Sequence, residues 1–217
     1  MLVTMDKSLQ FQQNLAAHPL SRDCSTLAHP AVRDPRFGGW QCPVLLRAEG
    51  ATSKTLLLVR HAKSSWDDPG VADQARPLNK RGTRDAAAMA RRVAHRPNRP
   101  ELIVTSPALR AHRTAEAMAA ALGLEAELLV VDERVYDATT ADLLDVIRSL
   151  DDRHARVMLV GHHPGITDMV NLLTDANLEK LPTCGVAAVR LDVRSWADVH
   201  DGGAELIELD APKNHPQ

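Results

Sequence analysis

Aromatic residues are scarce in this sequence: Phe, Trp and Tyr make up 3% of 217 residues. A core must therefore come from Leu, Val, Ile, Ala and Met, and a hydrophobic share of 44% is ample for one. The same scarcity leaves few rings for stacking bases. With a net charge of −2 and no long basic block, there is no electrostatic footprint for nucleic acid or an anionic membrane. No apolar run approaches the roughly 20 residues of a membrane-spanning helix. The N-terminus also lacks the basic-then-apolar layout of a secretory signal. Cys24, Cys42 and Cys184 are odd in number and have no CxxC spacing, which argues against a disulfide framework or a zinc site. These absences point to a soluble, cytoplasmic protein with neither a nucleic-acid nor a membrane partner.

Residues 1–52 are punctuated by His18-Pro19, His29-Pro30, Asp34-Pro35 and Cys42-Pro43, and no helix or strand period persists across them. They read as a poorly ordered N-terminal extension with one short helix near 5–17, anchored if at all by Trp40. A start codon assigned too far upstream explains them equally well. From Lys54 the pattern becomes regular. Strands are expected at 55–59, 101–105, 127–131, 156–160, 186–191 and 205–209. Helices are expected from Asn79 to the prolines at 97 and 100, from Ser106-Pro107 to a stop at Gly123, and over 141–150 and 166–173. Ser106 as N-cap with Pro107 in the first helical position is a strong start signal. Alternating strands and helices predict an α/β domain over 53–212, with a mainly parallel central sheet, helices on both faces and a tail at 213–217.

The chemistry gathers at three strand ends. Leu56-Leu57-Leu58-Val59 is an apolar run that reads as a buried strand, and it stops abruptly at Arg60 and His61. A neutral imidazole is nucleophilic near pH 7, and a guanidinium grips two phosphoryl oxygens at once. Arg110 falls in the first turn of the helix after the second strand. A cation is disfavoured there unless an anion offsets it, and the free N–H groups attract that same anion. Gly161-His162-His163-Pro164-Gly165 marks a tight strand-to-helix turn that approaches something closely. Metal ligation by His162 and His163 is disfavoured, because sequence neighbours rarely both reach one ion and no Cys or carboxylate sits at ligand spacing.

Arg60-His61, Ser106-x-x-x-Arg110-Ala111-x-Arg113-Thr114 and Gly161-His162 resemble the signature of the histidine phosphatase superfamily, with its three-layer phosphoglycerate-mutase-like fold. Arg60-His61-Ala62-Lys63-Ser64, Arg76-Pro77-Leu78-Asn79-Lys80-Arg81-Gly82 and Leu181-Pro182-Thr183-Cys184-Gly185 further resemble the short SixA-type phosphohistidine phosphatases, over about residues 54–212. The resemblance implies that His61 is the nucleophile and is transiently phosphorylated. It implies that Arg60 and Arg110 bind the phosphoryl group and that His162 completes the pocket, with no metal or cofactor. Ala62 stands where many members have Gly. Lys63 is a candidate point charge on the substrate, with a rim lysine that does not touch it as the alternative.

The proton donor is a separate matter. Glu133 follows the third strand, where mutase-like members carry their general acid, and it is the candidate here; pairing with Arg134 or Lys63 on the rim is the alternative. A phosphohistidine leaves as an imidazole and needs less acid help than an alkoxide. The connection at 123–126 leaves no room for an inserted lid, so an open site is expected. The expected substrate is thus phosphohistidine on a signalling or phosphotransferase carrier protein. A small-molecule phosphomonoesterase using Glu133 and a non-catalytic phosphate-sensing module are the competing readings.

Overall fold

The computed structural model describes residues 53–214, so the expectations for residues 1–52, Cys24 and Cys42 among them, lie outside it. Six strands, β1 (Lys54–Arg60), β2 (Leu102–Thr105), β3 (Leu129–Val131), β4 (Arg156–Gly161), β5 (Val186–Leu191) and β6 (Ala204–Asp210), form one sheet in the order β3-β2-β4-β1-β5-β6. β3, β2, β4 and β1 run parallel, while β5 and β6 continue antiparallel along the other edge. The helices are α1 (Lys80–Ala94), α2 (Leu109–Leu122), α3 (Thr140–Arg148) and α4 (Gly165–Thr174). The expected α/β architecture, mainly parallel and covered on both faces, is the one observed.

Strand alternation divides the core in two. Leu57 and Val59 of β1 join Ile103, Met158 and Val160 beneath the apolar faces of α1 and α2. Leu56 and Leu58 join Val104, Val157 and Leu159 on the opposite face, with α3, α4 and the fully buried Trp196. The helix limits have local causes. The Asn79 side chain accepts from Gly82 N–H to cap α1, and Gly123 ends α2 in the left-handed region at φ 67°.

Two expectations are corrected. Ser106 does not cap α2: the helix begins at Leu109 after Ala108, whose N–H donates to Ser106 Oγ at 3.3 Å. Nonlocal pairing of Ser106 overrides its local propensity as a cap, as described below. The third strand is shorter than expected, because 126–128 form a 3₁₀ turn and only Leu129–Val131 pair with β2. At the sheet edge a few backbone pairings suffice and nothing compels the rest to extend.

Candidate active site

The register of the parallel strands decides which residues meet. Arg60 lies opposite Gly161 in the β1–β4 pair, and Thr105 lies opposite Val160 in the β2–β4 pair. His61 N–H donates to Gly161 O at 3.0 Å, and Ser106 N–H to Val160 O at 3.1 Å. The three chains therefore leave the sheet at one level and deliver His61, Ser106 and His162 to its carboxyl edge, beside the reversal of strand order between β1 and β4.

His61 Nδ1 lies 2.7 Å from the Ala62 carbonyl. A carbonyl accepts and never donates, so Nδ1 carries the proton and the lone pair sits on Nε2. Burial pushes the His61 pKa down to about 4. The Ala62 hydrogen bond opposes this, and the Arg110 and Arg60 charges add to it. The ring is therefore neutral and nucleophilic at neutral pH.

His162 stands beside it, ring centroids 5.1 Å apart and planes tilted by 56°. Its Nδ1 is 3.4 Å from Arg110 Nη2 and its Nε2 is 2.8 Å from Ser106 Oγ. A guanidinium only donates, so Nδ1 is the bare nitrogen and Nε2–H donates to Ser106. Burial, then the His61 and Arg110 charges, push the His162 pKa to about 3. Tyr136 meets the His162 ring edge-on, with centroids 5.7 Å apart. His163 turns elsewhere, its Nδ1 3.0 Å from Thr167 Oγ1, so the adjacent histidines serve different partners.

Arg110 is buried in the first turn of α2. Nη1 donates to the Asp73 carbonyl at 2.6 Å and Nη2 to Asp73 Oδ2 at 2.8 Å; Tyr136 Oη donates to the same carboxylate at 3.0 Å. Burial alone would raise the Asp73 pKa, but the Arg110 and Tyr136 hydrogen bonds and the Arg110 charge outweigh it and hold the carboxyl below its usual range. Arg76 approaches from the same loop, Nε 3.8 Å from Asp73 Oδ1, its guanidinium stacked 3.7 Å from the Trp66 ring. Thr114 locks the floor: it accepts from Ala62 N–H at 3.0 Å and donates to Arg110 O at 2.7 Å.

Arg60 shares its parity along β1 with Leu56 and Leu58. It donates through Nη1 to Leu181 O at 3.0 Å, while its Nε is buried and, among the described residues, has no hydrogen-bond partner. Among the sequence-predicted residues, the fold thus gathers His61, Arg60, Arg110 and His162. Lys63 is exposed on the rim and lines a cavity with Arg60. Glu133 is exposed at the start of the 3₁₀ turn after β3; its neighbour Arg134 pairs with Asp132 at 2.7 Å. Sequence reasoning passed over Asp73 and Tyr136. Asp73 shares its polar loop with Asp67 and Asp68 and nothing local separates it from them, whereas Tyr136 is the single tyrosine of the chain and was open to notice on that ground.

Residues 56–136 match the sequence model of the histidine phosphatase superfamily (branch 1). An uncharacterized protein of Mycobacterium tuberculosis is 34% identical over 167 residues, covering 71% of this chain and 100% of that protein. Among solved structures, one from Agrobacterium tumefaciens assigned as the phosphohistidine phosphatase SixA is 30% identical and superposes with a TM-score of 0.62, covering 73% of this chain and 98% of the other. A counterpart from Nakamurella multipartitia, with the same assignment, is 26% identical with a TM-score of 0.63, over 74% and 96% of the two chains.

Proposed function

The chain belongs to the histidine phosphatase superfamily and is of the SixA type, and on that premise we propose that this phosphatase removes phosphate from phosphohistidine on a partner protein, through a phosphorylated His61. In the first transfer His61 Nε2 attacks phosphorus, the N–P bond to the substrate imidazole breaks, and the leaving ring takes up a proton from solvent. In the second, water attacks phospho-His61 in line, the new N–P bond breaks, and inorganic phosphate leaves with His61 restored. Arg60, Arg110 and His162 surround the equatorial oxygens. Positioning and positive charge carry most of a phosphoryl transfer, so little covalent work is asked of the protein.

The observation that carries this reading is the tautomer of His61. Its Nδ1–H is committed to Ala62 O, which leaves a neutral Nε2 beside Arg110 and His162. The substrate class rests on acid chemistry. Asp73 is the carboxylate that touches the cluster, and it is held ionised by Arg110 and Tyr136. An ionised carboxylate suits a leaving imidazole better than a leaving alkoxide, which has to be protonated as it departs.

The test is phosphate release from a phosphohistidine-bearing carrier protein and from para-nitrophenyl phosphate, with wild type and His61→Ala, in EDTA. Release from the carrier that survives EDTA and vanishes with His61→Ala is expected. Faster turnover of the ester, lost with Glu133→Gln, would replace this reading with the phosphomonoesterase. Phosphate binding without turnover of either would replace it with the sensing module.

A further inference from the structure

Arg60 has a second neighbourhood. It lines a cavity of about 310 Å³ together with Lys63, Arg81, Lys180 and Lys213, and neither His162 nor any carboxylate lines it. This concentration of positive charge occurs in a chain whose net charge is −2. Arg81 is partly offset by Asp85, 3.2 Å away. Among the described residues, Lys63, Lys180 and Lys213 make no ion pair. Arg60 Nε is buried and, among the described residues, has no hydrogen-bond partner.

Two further features bear on the same corner. Helix α1 opens with Lys80 and Arg81 and has no acidic residue in its first turn. The helix dipole disfavours cations there unless an anion is present. Helix α3 obeys the usual rule, with Asp142 in its first turn and Arg148 in its last. The walls are also fixed in place. Cys184, held in the left-handed region at φ 58°, donates its N–H to Arg60 O at 3.0 Å and His61 O at 3.1 Å, so the Pro182–Thr183 wall is tied to the nucleophile strand. Across the cavity, the missing Cβ of Gly82 lets α1 press against the Lys63 carbonyl, where a Cβ would come within 2.1 Å. The cations of the cavity are thus carried on walls held in place by backbone contacts.

We infer that this cavity binds a second anionic group carried by the same substrate molecule as the phosphoryl group presented to His61, with Arg60 shared between the two anions. The inference rests on the proposed phosphatase reading for the position of the first anion. Two sources supply such chemistry: carboxylates flanking the phosphohistidine of a partner protein, or a second phosphoryl group on a small substrate. Lys180 and Lys213 discriminate between singly and multiply anionic substrates.

Calorimetric binding tests this without requiring turnover, so its failure is distinct from failure of the phosphatase assay. The probes are inorganic phosphate, inorganic triphosphate, and two peptides bearing a non-hydrolysable phosphohistidine mimic flanked by Glu or by Gln. Wild type should bind triphosphate at least about tenfold tighter than phosphate, or the Glu-flanked peptide at least about tenfold tighter than the Gln-flanked one. Whichever ratio is large identifies the source. That ratio should collapse toward one in the double variant Lys180→Ala/Lys213→Ala. Both ratios near one in wild type, or a ratio unchanged by the double variant, would overturn the inference.

Discussion

Asp73 and Arg110 grip one another through side chain and main chain together, with Nη2 2.8 Å from the carboxylate and Nη1 2.6 Å from the carbonyl. The guanidinium fork that a phosphoryl group needs is thus already answered by a carboxylate, itself steadied by Tyr136. An incoming oxyanion has to share Arg110 with Asp73 or displace it.

Asp73→Ala should therefore strengthen oxyanion binding. The Asp73 side chain is 50% exposed, so the pair is worth about 1 kcal/mol after solvent screening. That corresponds to about a fivefold lower inhibition constant for inorganic phosphate. Weaker phosphate inhibition in the variant would show instead that Asp73 orients Arg110 for the ligand.

Ser106→Ala removes the acceptor that holds His162 in its Nε2–H tautomer. Losing one orienting hydrogen bond of about 1.4 kcal/mol should lower kcat about tenfold. Ser106→Thr, which keeps the hydroxyl, should recover most of it. A kcat equal to wild type for the alanine variant would exclude an orienting role for this hydroxyl.

Thr114→Val keeps the volume but leaves the Ala62 N–H unpaired in the interior. Stranding a buried donor costs about 1–3 kcal/mol, visible as a lower urea midpoint at unchanged m-value. Gly82→Ala should be worse, because its Cβ would meet the Lys63 carbonyl rather than a flexible side chain. A loss above about 3 kcal/mol or failure to fold is expected. Wild-type thermal stability for Gly82→Ala would contradict the close packing of α1 on the loop after His61.

Acid should destabilise the free protein through its own active site. His61 and His162 are held at about 4 and about 3, below their ordinary 6.5. Between those values the unfolded chain binds more protons, so stability rises with pH. The contribution is complete above about pH 6.5 and is lost as pH falls toward 4 and then 3. Each histidine adds a slope of at most about 1.4 kcal/mol per pH unit. Urea titrations at pH 7 and pH 4.5 on wild type and on His61→Gln/His162→Gln should show the slope flattening in the variant; equal slopes would assign the acid sensitivity elsewhere.

Much of this molecule is legible in one dimension. The apolar run 56–59 announces a strand buried on both faces, and all of it is buried. Gly123 announces a helix end because it can take the left-handed conformation that closes α2. His61 and His162 stand out because phosphate-seeking side chains follow buried apolar runs closely, and Arg110 because it is a cation in the first turn of a helix. Such signals are local, and local chemistry accounts for them.

What tertiary structure alone decided is nonlocal. Ser106 looks like a helix cap by its neighbours, yet its hydroxyl serves His162, 56 residues away, because β2–β4 register sets the two strand ends side by side. Tyr136 and Arg110 lie 63 and 37 residues from Asp73 and meet on its carboxylate only because loop and turn fold over one strand edge. The five cations of the cavity, Arg60 among them, come from four separate stretches of chain, and no spacing along the sequence could have paired them. Residue type and short-range pattern determine which groups are able to bind phosphate. Strand register and loop closure determine which of them face one another, because those distances depend on contacts between segments far apart in the chain.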